Sequence, residues 1–270
     1  MLPRWRDQAS ILFAPRRVTL RHLPRGLRPA VRIATQPCGG GEGAEPWREP
    51  LATLGDTMRK LPRGTTCRVI VSSWFARYAL VPFSATLVNR KANEALATHV
   101  FQHVHGEQAQ AWACRVDPAA AGEKRVACAL DVALANAIES VARSCGLTLA
   151  AIEPVLTAGF NRARRRLPAS CWFAAVEPGR LALGLLLNGQ WSHLASERYA
   201  GDWEGALARM LPREALMAAA DSPVDALPCW IARYEADADP EQPGIGVFAA
   251  PGARERSTAG PMASAEGATA

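Results

Sequence analysis

Few side chains in this 270-residue chain are grouped as chemistry would need them. His99 and His103 stand four apart with His105 just beyond, a spacing that could bring two imidazoles to one metal ion. The residues between them are Val100, Phe101 and Gln102, so the acid of an H-E-x-x-H motif is missing, no cysteine stands near, and surface or capping histidines are expected. Cys38, Cys67, Cys114, Cys128, Cys145, Cys171 and Cys229 are odd in number, never form C-x-x-C, and sit in apolar segments; they read as reduced packing thiols. Arg162, Arg164, Arg165 and Arg166 make the densest basic cluster, placed where cations complement a helix C-terminus and without the interleaved aromatics of a nucleic-acid surface. One turn, Glu177-Pro178-Gly179-Arg180, joins a glycine to an acid, and such a hairpin can bring backbone N–H groups close to a phosphate chain. Glu177 and Gly179 are the candidate ligand-binding residues, although Pro178 removes one donor. No G-x-x-x-x-G-K-[ST] and no G-x-G-x-x-G follows a strand, so other phosphate loops lack support.

These residues must be positioned by a folded chain. A composition 49% hydrophobic and 21% charged excludes wholesale disorder and suits one large domain or two lobes. The formal charge of +6 permits anionic partners without selecting one. The longest strongly apolar run, Leu181 to Leu187, is far short of the roughly 18 residues that cross a bilayer. Arginine is frequent near the N-terminus, but no apolar stretch and small-residue cleavage site follow it, so no secretion signal is expected.

Residues 1–10 read as a basic lead-in and 236–270, rich in proline, glycine, serine and acids, as a disordered tail. Between them, strands are expected at Ile11–Phe13, Arg17–Arg21 and Val31–Thr35, a helix over Trp47–Leu61 with Leu51, Leu54, Met58 and Leu61 on one stripe, and a buried strand at Arg68–Ser72. A middle section adds an extended segment at Phe75–Phe83, a helix over Asn89–His105, strands at Gln110–Val116 and Arg125–Leu130, a helix Asp131–Cys145 capped by Gly146, a strand Thr148–Glu153 and a helix Val155–Leu167 opened by Pro154. Strands Cys171–Val176, Leu181–Leu187 and Trp191–Arg198, a helix Asp202–Ala219 and a strand Leu227–Tyr234 then repeat the opening order. The predicted first lobe spans 11–168 and a reduced second lobe 169–235.

A three-strand meander, helix and strand occurring twice is the element order of a two-lobed α/β, actin-like (duplicated ribonuclease H-like) architecture with mixed sheets. Phosphate transfer in such a fold needs carboxylates to hold a divalent metal, and the first strand offers none. Its turn, Ala14-Pro15-Arg16-Arg17, has a proline and no glycine, so neither hairpin is intact. Asp131 or Asp202 could supply an acid, yet each opens a helix and reads equally as an N-cap.

Val69–Phe83, with Arg77 and the Leu80-Val81-Pro82-Phe83 ending, resembles the corresponding strand segment of PilM-like proteins of type IV pilus assembly and of the GspL cytoplasmic domain of type II secretion. Ala127–Asp131, Ile152-Glu153-Pro154 with Phe160-Asn161, and the hairpin from Glu177 through Gly189-Gln190-Trp191 extend the resemblance to a little over half the chain. It implies an actin-like scaffold for assembly of a pilus or secretion machine, cytoplasmic and peripheral at the inner membrane, docking a PilN-like membrane-anchored partner. PilM-like proteins bind ATP in the two hairpins. Departures at Pro15, Arg16 and Pro178 imply a degenerate, non-catalytic pseudo-ATPase without cofactor, metal or nucleic acid, with a nucleotide-binding switch or residual ATPase, or a nucleic-acid-binding protein, as alternatives.

Overall fold

Strand β1 (Gln8–Ala14) alternates its side chains between two cores, and this alternation organises the first lobe. Ile11 and Phe13 point to one face, where helices α1 (Arg48–Arg59) and α3 (Val132–Ser144) bring Leu54, Met58, Leu134 and Ile138. Leu12 points to the other face, together with Ile70. Strand β1 pairs antiparallel with β2 (Arg17–Leu23), which pairs antiparallel with β3 (Arg32–Pro37). On its other edge β1 pairs parallel with β4 (Thr66–Val71), followed by β8 (Thr148–Pro154), giving the order β3-β2-β1-β4-β8. The structure, a computed structural model, describes residues 6–248 except 28, 41–44, 85–88, 119, 121, 219–223 and 236.

Between β4 and α3 the chain builds a second, smaller layer. Strands β5 (Arg77–Val81), β6 (Trp112–Val116) and β7 (Arg125–Asp131) form an antiparallel sheet in the order β5-β7-β6. Helix α2 (Arg90–His105) covers it through Ala97 and Phe101, its first turn capped by the Asn89 side chain accepting from Ala92 N–H at 2.8 Å. The strand predicted from Gln110 starts only at Trp112, because a 3-10 turn over Gly106–Ala111 intervenes.

The second large sheet repeats the first. Strands β9 (Cys171–Glu177), β10 (Arg180–Leu187) and β11 (Gln190–Arg198) form the meander, α5 (Trp203–Met217) follows, and β12 (Cys229–Arg233) returns parallel to β9. Trp172, Ala174 and Val176 meet Ala206, Leu207 and Met210 of α5, while Phe173 and Ala175 face the first lobe. Helix α4 (Val155–Ala163) lies between the two sheets, where Val155, Leu156 and Ala158 share one core with Leu12, Ile70, Phe173 and Ala182. A Cβ on Gly159 would come within 2.9 Å of the Ala232 Cβ, so glycine there permits the close approach of α4 to β12.

The disordered tail expected from residue 236 is corrected by β13 (Gly244–Phe248), which pairs antiparallel with β12; the rest of that range, 249–270, lies outside the described residues. The approach to β13 also straps the lobes together. Glu241 accepts from the Ser10 hydroxyl of β1 and pairs with Arg162 of α4, and Asp239 pairs with Arg21 of β2 at 2.8 Å. The lead-in expected over 1–10 likewise gives way to β1 from Gln8 onward. The helix predicted to Leu167 ends at Ala163.

Burial alone would raise the Glu241 pKa, but the Ser10 hydroxyl and the Arg162 guanidinium outweigh it and hold the carboxyl below its ordinary value of 4.5. Glu241→Ala should therefore cost about 1.5–3 kcal/mol of unfolding free energy at pH 7, measured by denaturant titration. Because the folded pKa is depressed, the wild-type advantage is fully present above the unfolded value and is lost as pH falls through the folded one. A difference between wild type and variant that stays constant from pH 7 to pH 3 would contradict the strap.

Candidate functional site

Two hairpin turns face each other across a cleft of about 660 Å³, and both come from the repeated meander. In the first lobe Ala14 pairs with Arg17, leaving Pro15 and Arg16 as the turn; in the second Glu177 pairs with Arg180, leaving Pro178 and Gly179. Proline followed by a glycine at φ +74° has the signature of a type II turn, which requires a positive φ at that position. The structure thus brings Glu177 and Gly179 to the same cleft as Pro15 and Arg16.

The Glu177 carboxylate and the carbonyls of Glu177, Pro178 and Gly179 have protein donors. Glu177 is 3% exposed, and its Oε2 accepts from Ser73 N–H at 2.8 Å. Burial raises its pKa, opposed by hydrogen bonds from the Ser72 hydroxyl and from Ser73, and by the Arg17 charge. The indole of Trp74 donates to the Pro178 carbonyl at 3.2 Å, and a Cβ on Gly179 would come within 3.1 Å of that ring. Tyr199 N–H donates to the Gly179 carbonyl, and the Tyr199 hydroxyl donates to the Glu177 carbonyl at 2.8 Å. Trp74, which nothing in its local sequence marks as a site residue, lines the cleft and covers the turn at Gly179.

The other candidates separate from this cleft. Asp131 caps α3 by accepting from Ala133 N–H at 2.7 Å, and Asp202 caps α5 by accepting from Gly205 N–H at 2.6 Å. His99 and His103 are exposed on α2, while His105 packs against Trp112 with ring centroids 5.0 Å apart. Among the described residues no three or more histidine, cysteine or acidic side chains gather as a metal site. All seven cysteines are free; burial pushes the Cys67 and Cys171 thiols up to about 11 and Cys229 to about 12, which leaves these three protonated and unreactive near neutrality. Arg162 is engaged by Glu241, and Arg164, Arg165 and Arg166 are exposed beyond the end of α4.

A second concavity, about 290 Å³, lies between the first sheet and the small sheet. Its walls are Leu149 to Ile152 of β8, Ala113 and Arg115 of β6, Cys128 to Leu130 of β7, and Ala135 and Glu139 of α3. Both β8 and β6 are edge strands, so unpaired backbone flanks the groove, and the many alanines leave room above it. Nothing in the local sequence announces this groove.

No protein-family model matches the chain, and no curated protein matches it in sequence. Solved structures do match. The cytoplasmic domain of EpsL, an inner membrane component of the type II secretion system of Vibrio cholerae, superimposes with a TM-score of 0.53 at 9% identity, over 84% of this chain and 82% of that one. A PilM-PilN type IV pilus biogenesis complex gives a TM-score of 0.54 at 18% identity, over 78% and 67%. A Bacteroides thetaiotaomicron protein with an actin-like ATPase fold and unknown function gives 0.52 at 10% identity, over 78% and 77%. The chain has the actin-like ATPase fold, in the form these three structures share. No helix among the described residues is long and apolar enough to cross a membrane.

Glu177→Gln keeps an oxygen for Ser73 N–H while removing a buried charge, so its unfolding midpoint at pH 7 should equal or exceed that of wild type. Glu177→Ala strands the amide and should cost about 1–3 kcal/mol. The raised folded pKa means that the stability Glu177 contributes is greatest below its unfolded pKa and declines as pH rises through the folded one, so the Gln variant should gain on wild type over that interval. Equal losses in Gln and Ala would show that the carboxylate charge itself is required.

Proposed function

We propose that the chain is a non-catalytic scaffold for assembly of a type IV pilus or type II secretion-like machine, working at the cytoplasmic face of the inner membrane. Its docked partner is a PilN-like membrane-anchored protein, which contributes an extended segment to the groove between β8 and the small sheet. The observation that carries this reading is the groove itself: two unpaired strand edges with an apolar floor of small side chains offer both halves of strand addition, backbone hydrogen bonds and pockets for alternate side chains. Likeness to a solved PilM-PilN complex and to the EpsL cytoplasmic domain supports the choice of machine and of partner. The non-catalytic reading is supported by the cleft, where Glu177, the one carboxylate among the described lining residues, already accepts from Ser73 N–H.

Ala135 and Ala113 stand on opposite walls of the groove and are only partly buried. Ala135→Trp and Ala113→Trp should each weaken binding of the partner's cytoplasmic segment at least tenfold in calorimetric titration while leaving the unfolding midpoint in place. Wild-type affinity in both variants would remove the groove from consideration.

The two facing turns favour a second reading, a residual ATPase or nucleotide switch that uses Glu177 and Gly179. Phosphate release from Mg-ATP separates the two: the scaffold predicts a rate equal to the protein-free control, whereas turnover abolished by Glu177→Ala would establish the second reading.

A further inference from the structure

One end of the first lobe collects cations that its acids do not balance. The register sets the start of β1 beside the end of β2 and the start of β4, with Gln8 opposite both Leu23 and Thr66, and Thr66 in turn opposite Thr148 at the start of β8. Residues 6–7, the connection from β2 to β3 and the turns before β4 and β8 therefore meet at this end. Arg25 N–H donates there to the Asp7 carboxylate at 2.7 Å, and Gly64 N–H to the Gly146 carbonyl at 2.8 Å. The Pro15-Arg16 turn lies at the other end of the same strands.

Arg6, Arg25, Lys60, Arg63 and Arg143 are exposed at this end, and none has a carboxylate within ion-pair distance among the described residues. Lys60 follows α1 and Arg143 lies in the last turn of α3, where the helix dipole favours a cation; Arg6, Arg25 and Arg63 stand on connections and have no such reason. The nearby acids are engaged, Asp7 by Arg25 N–H and by His22 at 3.7 Å, and Asp56 by Arg59. Beside these cations Leu27 is 75% exposed, Val31 42% and Ile33 44%, three of the eight large apolar side chains exposed among the described residues.

Apolar side chains held in water among unpaired cations fit a surface that is anionic outside and apolar beneath. An anionic lipid bilayer is such a surface: arginine and lysine gain from the headgroup potential while an apolar tip enters the acyl boundary. A nucleic acid would match the charge but leave Leu27 in water, and none of the exposed large apolar side chains is an aromatic that could stack on a base. A second copy would bring like charges together. We propose that this end of the first lobe docks directly on an anionic lipid surface, with Leu27 inserted and Arg6, Arg25, Lys60, Arg63 and Arg143 facing the headgroups. The proposal rests on the membrane-side reading above only for which membrane is met, and it needs no protein partner. The groove beside β8 starts at the same end, since Thr148 opens that strand, so a segment rising from the membrane would enter it without crossing the lobe.

The test is co-sedimentation of the whole chain with vesicles of phosphatidylglycerol and phosphatidylcholine in equal parts, against vesicles of phosphatidylcholine alone, at about 0.15 M salt. Binding to the anionic vesicles should exceed binding to the neutral ones by about tenfold or more and fall as sodium chloride rises. Leu27→Ser and the double variant Arg25→Gln/Arg63→Gln change exposed residues, so each should keep the unfolding midpoint and lose about tenfold in vesicle affinity. Leu216→Ser, at a leucine 83% exposed near the end of α5, and Ala135→Trp in the groove should bind vesicles as wild type does. The proposal is overturned by equal binding to both kinds of vesicle, by wild-type affinity in Leu27→Ser, by a loss in Leu216→Ser as large as that in Leu27→Ser, or by a fluorescent RNA oligonucleotide binding more tightly than the anionic vesicles. With no partner present, failure here leaves docking in the groove to be judged by its own titration.

Discussion

The close approach of α4 to β12 at Gly159 is the contact on which the two lobes depend. Because no side chain intervenes there, the helix can sit in one apolar core with both sheets, touching Leu12 and Ile70 on one side and Phe173 and Ala182 on the other. Two separate lobes would each have to close over an apolar face; a shared helix removes both faces from water at once. The same packing sets the distance between the Pro15-Arg16 and Pro178-Gly179 turns, which begin at the ends of strands held by that core. The charged strap at Asp239 and Glu241 secures the arrangement from outside.

Much of this architecture was legible because its strands carry it in their composition. Arg17–Leu23 alternates apolar with basic or polar residues, Cys171–Glu177 and Arg180–Leu187 are short apolar runs bounded by turn residues, and Asn188-Gly189 closes a hairpin where Asn188 adopts a φ of 53°. Helix α3 was equally plain from Leu134 and Ile138 on one stripe with Gly146 behind. Strand β13 was hidden for a physical reason. Ile245, Val247 and Phe248 favour a strand, but Gly244 and Gly246 interrupt them within a proline- and acid-rich stretch, and the pairing with β12 is a tertiary fact that composition does not record. The same tertiary pairing turned an apparent tail into the strap.

The candidate site was legible in part. Glu177 and Gly179 stand at the inter-hairpin cleft, and Trp74, Arg77 and Arg198 line it with them from other elements. Arginine is common throughout the chain, so nothing marked these among the rest. Their convergence depends on β5 lying beside β11 and on the register that sets Arg198 opposite Arg180. The groove beside β8 was invisible for the opposite reason: alanines form its walls, and small apolar residues carry no motif.

The position of the small sheet has a kinetic meaning. Strands β4 and β8 are hydrogen-bonded neighbours, yet β5, α2, β6, β7 and α3 all lie between them in the chain. Pairing β4 with β8 closes a long loop, whose entropy cost is lowered once the intervening residues have collapsed into their own sheet under α2. The locally connected insertion is therefore placed to fold early and act as a spacer that delivers β8 to its neighbour. The edge of β8 then comes into being as one of the last surfaces of the first lobe, so the groove beside it is complete only when the first sheet is.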